Sequence, residues 1–270
     1  METLRDKQKQ LRRILSEHAP VLIAYSGGVD SAYLLAEARN TLGRGAMLGV
    51  IADSPSLPRK ALASALELAQ ILDAPVEVVP TEELQNPDYA QNPVNRCYFC
   101  KAELFSKLEE MAGSRMFSAL AYGENADDMK QVRPGRKAAV EFSVLAPLRD
   151  AGLTKEEIRA ASRELGLPTA DAPAQPCLSS RIPHGTPVTQ SALAMVEAGE
   201  EWVRSLGFSV FRVRHLEGTL NGPDASLSNG VHGYGGGAPG ARVQIAPAEM
   251  ARVPELKQQI EDGLVAIGYA

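Results

Sequence analysis

Residues 24–35 read AYSGGVDSAYLL, and they continue the apolar run Val21-Leu22-Ile23-Ala24 without a break. A chain with this order has few options, because a buried strand must turn through two glycines into a helix that begins near Asp30. Adjacent glycines at such a junction let the backbone turn tightly and approach a bulky group, since no Cβ intervenes. The helix start that follows offers unpaired N–H groups and the positive end of a helix dipole. An anion is the ligand that suits it.

The rest of the chain supplies a matching frame. Strand-like apolar runs occur at 20–25, 46–51 (AMLGVI), 75–79 (PVEVV), 116–121 (MFSALA) and 143–145, with helical patterns at 31–40, 58–72, 98–112, 125–130 and 154–165. The last of these, TKEEIRAASREL, opens with Thr154 and Glu157 at capping-box spacing. Strands alternating with helices predict an α/β fold, a parallel sheet covered by helices on both faces. Ligands in such sheets lie at the carboxyl ends of the strands, where Ser26 to Ser31 and Asp53-Ser54 fall. A Pro-rich passage, 168–187, then interrupts the periodicity. The domain boundary is expected near 185, giving a first domain over 1–185 and a smaller α+β domain over 186–270. The second domain should hold a helix at 189–206, strands at 208–213 and 241–245, and a last helix at 247–266. Residues 217–240, EGTLNGPDASLSNGVHGYGGGAPG, show no apolar period and read as a mobile Gly-rich loop.

Charge and composition narrow the function classes. Lys plus Arg number 28 against 33 for Asp plus Glu, a net charge of −5, so the broad basic footprint of a nucleic-acid binder is absent. The N-terminal METLRDKQKQLRRILSEH is a charged amphipathic helix pattern with Leu4, Leu11, Ile14 and Leu15 on one side, unlike a signal peptide. No apolar run has membrane-spanning length. A cytoplasmic protein without membrane or nucleic-acid partners is the expectation.

SGGVDS lacks the Gly-Lys-Ser/Thr of a Walker loop. It resembles the PP-loop of ATP pyrophosphatases, which implies that Ser26, Gly27, Gly28, Asp30 and Ser31 hold the pyrophosphate end of ATP. A tight turn that merely needs two glycines is the plainer alternative for a bare SGG. In that superfamily a small polar residue closing the second strand lies beside adenosine, which implies that role for Asp53 and Ser54; a helix cap is the other reading of Asp53. The run Tyr122-Gly123-Glu124-Asn125-Ala126-Asp127-Asp128 is similar to the superfamily's Gly-x-Asn-x-Asp-Asp turn. Carboxylates beside a triphosphate are natural Mg²⁺ ligands, and Asp30 and Asp128 are the candidates. A solvated cap is the alternative for Asp127 or Asp128.

Three cysteines in a cytosolic chain do not make a disulfide framework. NRCYFCKAELF places Cys97 and Cys100 at a helix start, where both thiolates can face one point, and PCLSSRIPHGTPVT places Cys177 in a Pro-bounded loop. Three converging thiolates leave one position open, as in a [4Fe–4S] cluster whose fourth iron binds a non-protein group. Zinc held by Cys97, Cys100, Cys177 and His184 is one rival. Three ordinary buried thiols are another.

The run ENADDMKQVRPGRKAAVEFSVLAPLRDAGLTKEEIRAASRELGLPTADAPAQPCLSSRIPHGTPVT, with RVRH at 212–215, resembles the LarE family across nearly all of residues 10–216. These are ATP-dependent sulfur transferases of nickel-pincer cofactor synthesis, whose product serves lactate racemase. The resemblance implies that a pyridinium biscarboxylate mononucleotide is adenylylated on a carboxylate, with release of pyrophosphate, and that sulfur then displaces AMP to leave a thiocarboxylate. It also implies that Ser180, Arg181, Glu200, Arg212 and Arg214 surround the substrate's phosphate and carboxylates, and that the protein is a homo-oligomer. Arginine's planar fork suits such oxyanions, and Arg212 and Arg214 share one face of a strand. Without the resemblance, that face reads as a solvated strand edge, Glu200 as a helix partner of Arg204 four residues on, and Trp202 as core.

Members of the family with a single cysteine at the place of Cys177 give up its own sulfur, whereas members with three hold a [4Fe–4S] cluster carrying a replaceable sulfide. Having Cys97 and Cys100 as well as Cys177, this chain is expected to follow the cluster route, reloaded by sulfide or another sulfur donor. A PP-loop tRNA thiolase, or a non-catalytic nucleotide-binding protein with structural zinc, are the other readings. The chain departs from the family pattern in the Gly-rich stretch after RVRH and at Gly268-Tyr269-Ala270, where relatives usually continue.

Overall fold

The structure, a computed structural model, describes residues 3–130, 133–216 and 238–270. The chain divides into two compact units, Met1–Tyr89 with Asn95–Gln175, and Ala90–Val94 with Pro176–Ala270. The second unit therefore takes in 176–185, which the sequence alone assigns to the first. Hydrogen bonds explain the division: Asn92 Nδ2 donates to the carbonyls of Pro183 (2.7 Å) and Thr186 (2.8 Å), and Val188 N–H donates to Ala90 (2.8 Å). Residues 90–94 are thereby tied to 182–188.

The first unit runs α1 (Leu4–Glu17), β1 (Val21–Ala24), α2 (Val29–Leu42), β2 (Met47–Asp53), α3 (Arg59–Ile71), β3 (Val76–Pro80), a short helix α4 (Pro87–Ala90) at its edge, α5 (Arg96–Arg115), β4 (Ala119–Tyr122), α6 (Gly135–Glu141), α7 (Pro147–Asp150) and α8 (Lys155–Glu164). The four strands form one parallel sheet in the order β3-β2-β1-β4, with Val21 opposite Met47 on one side and Ala119 on the other. Alternation sends Val21 and Ile23 into a core with Leu11, Leu34, Leu68 and Ile158, and Leu22 into a second core with Phe105, Leu108 and Ala138. Helices therefore cover both faces, and a centre strand buried twice over is apolar throughout. The start of α8 follows the capping-box reading, since Glu157 N–H donates to Thr154 Oγ1 (3.2 Å) and Thr154 N–H to Glu157 Oε2 (2.9 Å).

Two expected elements differ. The strand at 143–145 is reduced to one parallel bridge between Ala121 and Leu145, because Ser143 has φ +51° on one side and Pro147 starts a helix on the other. The helix at 125–130 is a 3₁₀ turn over Ala126–Lys130.

The second unit contains α9 (Gln190–Ser205), an antiparallel pair β5 (Phe211–Leu216) and β6 (Gly240–Ile245), and α10 (Val253–Ile267). Val203, Phe208, Val213, Ile260 and Leu264 make its core. The strand expected at 208–213 starts later. Phe208 turns into that core, and the Glu249 carboxylate takes the N–H groups of Ser209 and Val210 (both 2.9 Å). The expected helix at 247–266 opens as a 3₁₀ turn, Pro247–Arg252. Residues 217–237 of the predicted Gly-rich loop lie outside the described residues. Among the described residues, no helix is long and apolar enough to cross a membrane.

Candidate active site

The junction of β1 and α2 has the geometry that its glycines suggest. Gly27 adopts φ +74°, and a Cβ on it would lie 2.7 Å from the Cβ of Ala65 in α3. Gly28 is the N-cap of α2 and supplies no side-chain cap. The loop is braced from within. Ser31 Oγ accepts from Ser26 N–H (3.2 Å), lies 3.1 Å from Ser26 Oγ and donates to the Gly28 carbonyl (3.0 Å). With no side chain over the helix start, its N–H groups and positive dipole end suit the phosphates of a nucleotide.

A third glycine shapes this loop from a distant part of the chain. A Cβ on Gly123, just past β4, would stand 2.8 Å from Ser31 N and 3.0 Å from Ser31 Cα. The turn that follows is a network of charges. Asn125 Oδ1 accepts from Asp127 N–H (2.9 Å) and Asp128 N–H (3.2 Å), while its Nδ2 donates to Asp30 (3.2 Å). Lys155 Nζ lies 2.9 Å from both Asp30 oxygens. Asp127 accepts from Lys155 N–H (2.9 Å), a cap on α8. Buried Asp128 pairs with Arg133 (2.7 Å) and accepts from Asn125 N–H (3.2 Å). Every oxygen of Asp30 and Asp128 thus has a donor within hydrogen-bond distance. Buried Glu124 bridges Arg136 and Arg149 at 2.9 Å each. Burial disfavours its charged form, but the Tyr122 hydroxyl together with the two guanidiniums outweighs that and holds its carboxyl below the usual range.

At the end of β2, Asp53 pairs with Arg59, and buried Ser54 donates to Glu83 and accepts from Ser56 N–H (2.9 Å). Their side chains brace the turn. Cys97 and Cys100 lie in the first turns of α5, three residues apart and so on one face, with Cys97 exposed and Cys100 half-buried. Lys101 follows them, its ammonium 4.4 Å from the Tyr122 ring centroid. Burial lowers its pKa, against the pull of Glu124.

In the second unit, exposed Cys177 precedes a 3₁₀ turn, Leu178–Arg181. Arg181 donates to the carbonyls of Pro176 (2.6 Å) and Cys177 (3.2 Å) and to Ser180 Oγ (2.9 Å). Its other edge meets Glu200 at 2.7 and 3.0 Å, and Glu200 also accepts from Val213 N–H (3.2 Å). Both side chains are 7% exposed. Glu200 thus pairs with Arg181 and not with Arg204, which lies over the Phe211 ring. Trp202 is also not core: it is 37% exposed. Arg212 and Arg214 share the outward face of β5, where Arg214 donates to Gln244 (2.9 Å) and to the Ser180 carbonyl (2.9 Å).

None of the three thiols is in a disulfide. Within either unit, no three His, Cys, Asp or Glu side chains among the described residues are gathered as a metal set. The donor chemistry of Cys97 and Cys100 on one helix face fits two of the three ligands of an iron–sulfur cluster.

A parallel α/β sheet with a Ser-Gly-Gly loop opening a helix at the carboxyl end of its second-from-edge strand is consistent with an α/β PP-loop domain. No family model matches the chain. It is 34% identical to the pyridinium-3,5-bisthiocarboxylic acid mononucleotide synthase of Lactiplantibacillus plantarum over 79% of this chain and 78% of that one. An uncharacterised protein of Synechocystis is 43% identical over 78% of each chain, and one of Methanocaldococcus jannaschii 27% identical over 72% and 73%. The chain belongs to the LarE family.

Proposed function

We propose that the protein is an ATP-dependent sulfur transferase that converts a carboxylate of pyridinium biscarboxylate mononucleotide into a thiocarboxylate for the nickel-pincer cofactor. The observation that carries the reading is the uncapped start of α2 behind Gly27 and Gly28, in a chain 34% identical to a synthase of the bisthiocarboxylic product.

In the first step a substrate carboxylate oxygen bonds to the α-phosphorus of ATP and pyrophosphate leaves. A carboxylate is a poor electrophile, and attaching AMP turns one of its oxygens into a leaving group. The N–H groups of the α2 start face the charge that develops on the departing pyrophosphate. In the second step sulfur bonds to the acyl carbon, the C–O bond to AMP breaks, and AMP leaves with that oxygen. Arg212 and Arg214 supply bidentate donors for the substrate's oxyanions. Arg181 and Glu200 set the backbone that carries Cys177. Cys97, Cys100 and Cys177 would hold a [4Fe–4S] cluster, which when bound supplies a transferable sulfide.

The test is turnover of anaerobically purified protein with ATP and substrate, followed by mass spectrometry of product and protein. Thiocarboxylate formation with Cys177 intact, and with iron and acid-labile sulfide in the protein, supports the reading. Conversion of Cys177 to dehydroalanine assigns the sulfur to that residue instead. Zinc without iron and no thiocarboxylate, or thiolation of tRNA, overturns it.

A further inference from the structure

The outward face of the β5–β6 hairpin carries more positive charge than the family resemblance assigns to it. Arg212 lies opposite Gln244, and Arg214 lies opposite Arg242. Val213 and His215 point the other way and are buried, so the three arginines and Gln244 share one side. Directly opposed side chains on antiparallel strands have Cβ atoms about 5 Å apart, and diagonal neighbours such as Arg212 and Arg242 about 7–8 Å. All three guanidiniums can therefore reach one small anion.

Like charges placed directly opposite destabilise a strand pair. Among the described residues, none of Arg212, Arg214 and Arg242 has a carboxylate within ion-pair distance in the salt bridges of the structure. Burial first, and then the charges of Arg212, Arg181 and Arg242, push the pKa of Arg214 below the ordinary arginine value. Two of its donors are already committed, Nε to Gln244 and Nη1 to the Ser180 carbonyl. These bonds fix the plane of the guanidinium, while Arg212 and Arg242 are exposed.

We propose that Arg242 is the third arm of an oxyanion-binding face formed with Arg212 and Arg214, that this face takes a phosphate monoester dianion, and that Gln244 is the positioning residue that orients Arg214 within it. The inference deepens the function proposed above and rests on it for the identity of the ligand as the mononucleotide's phosphate. Repulsion between Arg214 and Arg242 is relieved when the dianion binds between them, and a planar, bidentate donor is the group suited to hold it.

The experiment uses the full chain, with inorganic phosphate and nicotinic acid mononucleotide as probes and a non-hydrolysable ATP analogue as the competing phosphate source. Binding and thermal unfolding are measured for wild type, Arg242→Ala, Arg242→Lys, Arg212→Ala and the charge-matched Arg13→Ala. Arg242→Ala is expected to weaken both phosphate probes about tenfold, as for loss of one charge-assisted contact, and to leave the ATP analogue within twofold. Arg242→Lys should recover part of the loss. In phosphate-free buffer Arg242→Ala should unfold at a higher temperature than wild type, because a repulsion is gone. If Arg242→Ala binds the probes like wild type while Arg212→Ala does not, Arg242 is not part of the face and this inference fails alone. If neither variant changes probe binding, the substrate role of the whole face fails with it. An equal loss in Arg13→Ala would reduce the effect to net charge and overturn the inference, as would a lower unfolding temperature for Arg242→Ala.

Discussion

Replacing Glu200 with alanine should unfasten the segment that carries Cys177. The carboxylate receives two guanidinium donors from Arg181, at 2.7 and 3.0 Å, and the Val213 N–H at 3.2 Å, with both ion-pair partners 7% exposed. Its removal leaves a buried guanidinium held only by neutral acceptors, the Pro176 and Cys177 carbonyls and Ser180 Oγ. Breaking a buried pair in this way costs about 3–5 kcal/mol. An exposed helical pair such as Arg13–Glu17, at 70% and 51% exposure, is worth roughly 0.3–0.5 kcal/mol. Trp202, the one tryptophan in the chain, lies two residues from Glu200 on α9 and reports the second unit by fluorescence. With a urea slope of about 2 kcal/mol/M, the midpoint of Glu200→Ala should fall by roughly 1.5–2.5 M, and that of Glu17→Ala by roughly a quarter of 1 M or less. The double variant Arg181→Met/Glu200→Leu should recover most of the stability, because an apolar pair of similar volume needs no charge compensation. It should not recover sulfur transfer, since the Cys177 loop would lack the donors that hold it. A fall no larger than that of Glu17→Ala, or full activity in the double variant, would refute the clamp.

Other consequences follow from the first unit. Gly123→Ala forces a Cβ to within 2.8 Å of Ser31 N, so ATP affinity should fall at least tenfold in a folded protein, as measured by equilibrium titration. Unchanged affinity would mean that the loop adapts. The lowered pKa of Glu124 stabilises the fold at pH values above its ordinary unfolded value, and that contribution is lost as pH falls through the lower folded value. Acid titration of stability should therefore be flatter between about pH 5 and 3 in Glu124→Gln than in wild type, and parallel curves would show that Arg136 and Arg149 do not hold the charge. Cys97→Ser and Cys100→Ser should each lose iron and sulfide from anaerobically purified protein while ATP binding is kept. Retained iron in either variant would remove that thiol from the ligand set.

The sequence makes legible what depends on neighbours along the chain. β1 and β2 are buried on both faces, so their apolar runs stand out, and the Gly27-Gly28 turn and the Thr154–Glu157 box are local chemistry. What it hides depends on partners far along the chain. Glu124 is anchored by arginines 12 and 25 residues away, and Gly123 is needed because Ser31 packs against it. Both lie in the YGENADD turn, which the sequence singles out for its aspartates. The start of β5 shifted because a carboxylate 40 residues on caps Ser209. Local spacing pointed Glu200 at Arg204, whereas the fold brings it Arg181, 19 residues upstream. Charged residues stand out in the sequence, but whether a charge faces a ligand or another side chain is settled by tertiary packing alone.

The claim that the Ser26-Gly27-Gly28 loop serves activation of a carboxylate by adenylylation is tested most directly with substrate labelled with ¹⁸O in its carboxylates. If AMP is attached through a carboxylate oxygen and then displaced by sulfur, the recovered AMP carries one labelled oxygen, and pyrophosphate appears in equal amount with thiocarboxylate. Unlabelled AMP, or ADP and phosphate in its place, would contradict the account.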